Sequence, residues 1–399
     1  VGIRDNFFEM GGDSLKAIRL IVKIRAAFPA CNPPLAALLK APTVEQFAQT
    51  LGDGQADWSS LVAMRQGNGR PPFFCVPGGG GSVFELRDLA MALPPDQPFN
   101  GLQARGLDGK SAPFSSVEEA AQYYIDLIRK VQPRGPYYLG GPCYGGVVAF
   151  EMARRLRCMG ETVSVLALID ATNPGAYRLV PRFVRVYISL LFLLRHALLR
   201  TVQHVKIICR MEPRAWSTYL AARALNFLHI AENRVRISLR YEPKHPPDRA
   251  DAGLQALEGH DDFFEVLARA HHANLLAQLH FIPKPYDGHI LLFRARTQED
   301  SYLDEALGWR LLAKGGVTIY DIDGDHVSIL RNPDVRALAE KLDTALREAQ
   351  QATQDSNRNQ EANLAPQRLT LPRAEHPKGV KADPARTLMD AEPVAGSSR

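Results

Sequence analysis

Tyr137-Tyr138-Leu139-Gly140-Gly141-Pro142-Cys143-Tyr144-Gly145-Gly146 is the stretch on which the fold turns. An apolar run suited to a buried strand passes through Gly-x-Cys-x-Gly into a helical pattern that reaches about Cys158. A nucleophile raised on a sharp strand-to-helix turn needs glycine on either side, because side chains there collide with the turn. The competing reading is a buried, inert cysteine between glycines that permit close packing.

Working outward, a nucleophile on such an elbow calls for an acid and then a histidine further along the chain. Asp170 ends the next strand, Val163–Ile169, in Leu168-Ile169-Asp170. His326 follows the strand Val317–Ile322 in Gly324-Asp325-His326. Both stand at the carboxyl ends of strands, where open parallel sheets place their sites. Asp321, Asp323 and Asp325 compete with Asp170 to orient the imidazole, but a neighbour in the same turn rarely faces the ring. His271 and His272 are expected on the surface.

Upstream, Phe73–Val76 runs into Pro77-Gly78-Gly79-Gly80-Gly81. An oxyanion hole takes one N–H from the residue after the nucleophile, Tyr144, and one from such a loop, with Gly79 the favoured donor. No Lys-Ser/Thr follows the glycines, so a phosphate-binding P-loop is a poor reading.

Strands also read at His289–Phe293, and a closing helix at Asp334–Glu348. Alternating strands and helices imply an α/β fold with a mostly parallel sheet. Residues 175–283 break the rhythm as a helix-patterned, Leu- and Arg-rich insertion, expected to form a lid over the site. Its basic stretch between Arg178 and Arg214 is either a docking face for an acidic carrier or a solvated helix face.

Near the start, Asp5-Asn6-Phe7-Phe8-Glu9-Met10-Gly11-Gly12-Asp13-Ser14-Leu15 precedes a helix with apolar residues at helical spacing. A serine at a helix N-terminus beside an acid can simply be a cap. It can equally carry a phosphodiester, which free N–H groups and the helix dipole favour there.

Composition fits this picture. The net charge of +5 is small for 399 residues, and no basic patch interleaved with aromatics suggests nucleic acid. Five scattered cysteines without CxxC spacing argue against a disulfide framework or a metal site. The longest apolar run, Val186–Leu194, is too short to span a bilayer, and the first residues carry no signal-peptide pattern, so a cytoplasmic protein without membrane contact is expected. The chain opens on Val1 inside a motif, as an excised piece of a longer protein would.

The motif around Ser14 resembles the attachment signature of peptidyl carrier domains, which implies 4′-phosphopantetheine on Ser14 and a phosphopantetheinyl transferase to install it. Residues 71–349 resemble the type I thioesterase domains that terminate nonribosomal peptide synthetases. The resemblance is carried by the glycine loop, Gly141–Gly146, Leu168-Ile169-Asp170, Leu292-Phe293-Arg294-Ala295, Leu307-Gly308-Trp309-Arg310 and Gly324-Asp325-His326. It implies an α/β-hydrolase fold with a helical lid at about 175–283, preceded by a partial carrier domain (1–53, lacking its first helix) and a linker (54–70). Residues 350–399, polar and aperiodic, are expected to be a disordered tail.

The chain departs from the family in two places: Cys143 stands where serine is usual, and Pro77 where histidine often stands. The catalytic set implied is Cys143, Asp170 and His326, with Gly79 and Tyr144 as oxyanion donors. The substrate is a peptidyl or acyl chain delivered by the carrier from upstream synthetase modules, released by hydrolysis or by cyclisation. A cysteine near a helix N-terminus and a histidine is expected to react as a thiolate. Its acyl enzyme is itself a thioester and stays activated, which suits closure of a strained lactam or lactone. Two other readings are a cysteine hydrolase of a small ester or lactone, and a non-catalytic module that merely holds an acyl group.

Overall fold

In the computed structural model the described residues are 1–28, 33–52, 58–176, 262–297 and 304–364, with a few isolated positions between 187 and 232. The expected lid and its basic stretch therefore lie outside the described residues, apart from the lid's final helix.

The chain opens with α1 (Ser14–Ala27), α2 (Ala37–Lys40) and α3 (Val44–Gly52). Asp13 caps α1, its carboxylate accepting the Lys16 N–H at 2.8 Å, and Thr43 caps α3 by accepting the Gln46 N–H. Ala17, Ile21, Leu38 and Phe47 close a small apolar cluster between these helices.

The sheet comprises β1 (Leu61–Arg65), β2 (Phe73–Cys75), β3 (Phe99–Leu102), β4 (Tyr137–Pro142), β5 (Val163–Ile169), β6 (Ile290–Thr297) and β7 (Val317–Asp325), in the order β1-β3-β2-β4-β5-β6-β7. Only β1 runs antiparallel. The central strands are continuous apolar runs because helices cover both faces. Phe74, Val76 and Leu139 point to one side, against α5 (Val117–Val131) and α6 (Cys143–Cys158). Phe73, Cys75 and Tyr138 point to the other, against α4 (Arg87–Ala92) and the closing helix α8 (Val335–Leu364). Between them in sequence stands α7 (Asp262–His280), the lid's last helix.

Two expected boundaries need correction. The stretch taken as a linker, 54–70, contains β1, whose Val62 is buried and whose register runs Leu61↔Leu102 and Val62↔Gly101. The polar residues flanking it hid the strand. Arg65, which reads as linker chemistry, donates to the carbonyls of Ala90 and Leu93 at the end of α4. The closing helix also continues through Leu364 rather than stopping at 348. Between Val335 and Leu364 there is no Gly or Pro to end it, and a polar surface alone does not unwind a helix. Residues 365–399 lie outside the described residues. Val1–Gln354 is one compact unit and Asp355–Arg399 a second.

Candidate active site

At the junction of β4 and α6 the chain has no room for side chains beside Cys143. A Cβ on Gly141 would stand 2.5 Å from the Val76 carbonyl oxygen, and one on Gly145 would overlap that same oxygen. The turn forces Cys143 to φ 48°, a left-handed conformation that costs a non-glycine residue about 1–3 kcal/mol. Its half-buried sulfur is thereby raised at the head of α6. Asp170, just past β5, is also left-handed, at φ 46°.

The three expected catalytic residues come together. His326 Nδ1 donates to Asp170 Oδ2 at 2.7 Å, and the other Asp170 oxygen accepts the Ala295 N–H at 2.9 Å. Asp170 is buried and so held on both oxygens. The imidazole also hydrogen-bonds the Cys143 side chain, which leaves Nε2 as the nitrogen facing sulfur. Burial opposes charge on His326, but the bonds to Asp170 and Cys143 outweigh it and hold the imidazole well above its ordinary value.

The rival acids are occupied elsewhere. Asp321 pairs with Arg294 and Asp323 with Arg296, while Asp325 accepts the N–H groups of Val327 and Ser328 and shapes the turn that presents His326. Trp309, from Leu307-Gly308-Trp309-Arg310, donates its indole N–H to the Ala171 carbonyl at 2.7 Å. That bond pins the backbone directly after Asp170.

The glycine loop can be accounted for donor by donor. The Gly78 N–H is held by the Glu85 carboxylate, and the Gly81 N–H by the Gly78 carbonyl at 2.9 Å. Gly79 and Gly80 keep N–H groups without a partner among the described residues. Tyr144, in the first turn of α6, has an N–H that the helix itself cannot satisfy. Gly79 and Tyr144 thus remain suited to receive an oxyanion, with Gly80 as a third candidate.

Three residues near this loop escaped the sequence reading. Asn274 of α7 is buried and donates Nδ2 to the Gly79 carbonyl at 2.9 Å. His271, expected on the surface, is half-buried, its ring 3.6 Å from where a Gly79 Cβ would stand. Both sit on a helix whose distance in sequence from the loop gave no hint of contact. Glu85, in the 3-10 turn Val83–Leu86, is pushed up to about 7 by burial, against the pull of the Gly78 N–H, His326 and Arg331.

For the cofactor, Ser14 is the first residue of a 14-residue helix with its cap already supplied by Asp13. That leaves the serine itself for attachment, an arrangement that fits a phosphodiester. The Ser14 side chain lies outside the described residues.

The sequence matches the family described as Phosphopantetheine attachment site over residues 1–51 and the family Thioesterase domain over residues 71–180. It is similar to malpibaldin synthetase of Mortierella alpina, with 30% identity over 335 residues, which is 82% of this chain and 5% of that protein. Indigoidine synthase of Dickeya dadantii (strain 3937) is 41% identical over 175 residues, 44% of this chain and 12% of that protein. The chain thus spans a small part of either relative. Among solved structures, a four-domain nonribosomal peptide synthetase bound to AMP and glycine superposes with TM-score 0.54 and 28% identity, covering 86% of this chain and 24% of that one. The chain thus carries a thioesterase domain joined to a phosphopantetheine attachment segment, and it resembles the corresponding part of nonribosomal peptide synthetases.

Proposed function

We propose that this chain takes a peptidyl or acyl group from a phosphopantetheine arm on Ser14, holds it on Cys143 and releases it from the assembly line. The observation that carries the reading is the Asp170–His326–Cys143 relay beneath a glycine loop with uncommitted N–H groups. The arm, when attached, supplies the thiol that bears the acyl chain.

His326 takes the Cys143 proton and the sulfur attacks the thioester carbonyl. Charge on the carbonyl oxygen is received by the N–H groups of Gly79 and Tyr144. As the carbon–sulfur bond to the carrier breaks, the imidazolium returns a proton to the leaving thiolate. In the second half His326 deprotonates water, or an amine or hydroxyl of the chain itself, which attacks the Cys143 thioester. Asp170 stabilises the imidazolium in both halves.

Cysteine keeps the acyl group activated, which favours cyclisation to a strained lactam or lactone over simple hydrolysis. Intact-protein mass spectrometry after loading from peptidyl thioesters tests the reading. An acyl adduct on wild type that is lost in Cys143→Ala supports it, and an adduct that persists in that variant refutes it.

A further inference from the structure

The attachment segment does more than lie beside the thioesterase. Phe8, six residues before Ser14, packs with its ring centroid 6.2 Å from that of Phe84, and the Arg87 guanidinium covers the Phe8 ring at 3.9 Å. Phe84 is buried in the same apolar cluster as Ala17, Ile21, Leu38 and Phe47 of the carrier helices, and Leu267 of α7 packs against that cluster.

Both contacts lead to the glycine loop by short routes. Phe84 is followed by Glu85, which holds the Gly78 N–H. Leu267, His271 and Asn274 are spaced i, i+4 and i+7 on α7 and so share one face. The first touches the carrier cluster, the second covers Gly79, and the third holds its carbonyl. The two elements that anchor the loop therefore both border the apolar cluster that the carrier helices share with Phe84.

We propose that the thioesterase reads the seating of its carrier: Phe8, lodged on Phe84 beneath Arg87, holds the turn and helix that fix the oxyanion loop, so that acyl transfer to Cys143 is fastest with the carrier docked. This rests on the thioesterase reading above. Removing Phe8 leaves an incompletely filled seat beside Phe84, and the loop then samples arrangements in which the Gly79 N–H no longer meets the substrate oxygen. The ensemble moves away from the competent geometry. Delivery through the arm is not needed for this effect, and that separates it from simple docking.

The test uses the full chain with a panel of peptidyl N-acetylcysteamine thioesters, which bring the acyl group without the arm. Phe8→Ala and Arg87→Gln are expected to lower kcat about tenfold, a coupling of ordinary size. KM should stay within about twofold of wild type, since ground-state binding is untouched. Hydrogen exchange over residues 78–86 should quicken in both variants. Arg4→Gln, which breaks an exposed pair with Glu45 elsewhere on the carrier segment, should leave kcat unchanged. If Phe8→Ala fails to fold, Arg87→Gln decides, because it removes the cation over the ring and, besides that, only a half-exposed pair with the adjacent Asp88. Unchanged kcat in the variants, with active wild type, overturns the coupling and leaves the thioesterase reading standing. Wild type inert on every thioester of the panel sinks that reading, and the coupling with it.

Discussion

Asn274 and Gly79 are 195 residues apart in sequence, yet the Asn274 side-chain amide donates to the Gly79 carbonyl at 2.9 Å from a fully buried position. Because the peptide is planar and trans, fixing that carbonyl also fixes the direction of the Gly80 N–H. Asn274→Ala is expected to lower kcat by about 10- to 100-fold, less than outright loss of an oxyanion donor. Alkylation of Cys143 by iodoacetamide should proceed as in wild type. A parallel loss of alkylation would show that the substitution disturbs the nucleophile rather than the loop.

Cys143→Ser separates a mere nucleophile from an energy-conserving one. Transfer of a thioester to a thiol is nearly isoenergetic, whereas an oxoester gives up driving force that ring closure needs. The serine variant is expected to load and stall, or to release mainly hydrolysed chain. Intact mass and product ratios on one substrate measure this. Equal rates and ratios in the two proteins would mean that sulfur is interchangeable with oxygen here.

Asp170→Asn keeps the shape of the site but leaves the His326 proton on the wrong nitrogen. Turnover should drop by roughly 10⁴-fold, as in other orienting-acid substitutions. Thermal stability is the control, and a drop in activity that merely follows unfolding would count against the role.

Glu85 supplies a pH signature. Its carboxyl lies near Cys75, His326 and Arg331 and is raised from 4.5 to about 7, so the folded protein holds a proton that the unfolded chain has lost. The folded state binds more protons, so this group's stabilisation is complete below the lower value and declines as pH rises through about 7. The swing is at most about 3 kcal/mol. Urea midpoints from pH 4 to 8 should fall for wild type relative to Glu85→Gln across that window. A pH-independent difference between the two would refute the assignment.

That Cys143, Asp170 and His326 come together was legible because each member of this proposed catalytic set sits in a short motif at a strand end: Gly141–Gly145, Leu168–Asp170 and Gly324–His326. Local geometry dictates those residues, so a short window suffices to find them. Asn274, His271 and Glu85 were not legible, since their roles depend on how α7 and the 3-10 turn pack on a distant loop. An asparagine within a helix carries no sign of the carbonyl it will meet. β1 was hidden by its polar flanks and by Arg65, whose partners at the end of α4 exist only in the folded chain.

The edge strand β1 has a practical consequence for domain exchange. Only residues 53–60 separate α3 from β1, because Leu61–Arg65 of the supposed linker is woven into the sheet, with Leu61, Val62 and Ala63 paired to β3. A chimaera spliced at residue 70 would carry β1 away with the donor carrier and strip β3 of its outer partner. The bared row of amides on β3 would then invite other chains to pair there. Recombination between Gly52 and Trp58 keeps the sheet closed on that side and exchanges only the carrier helices.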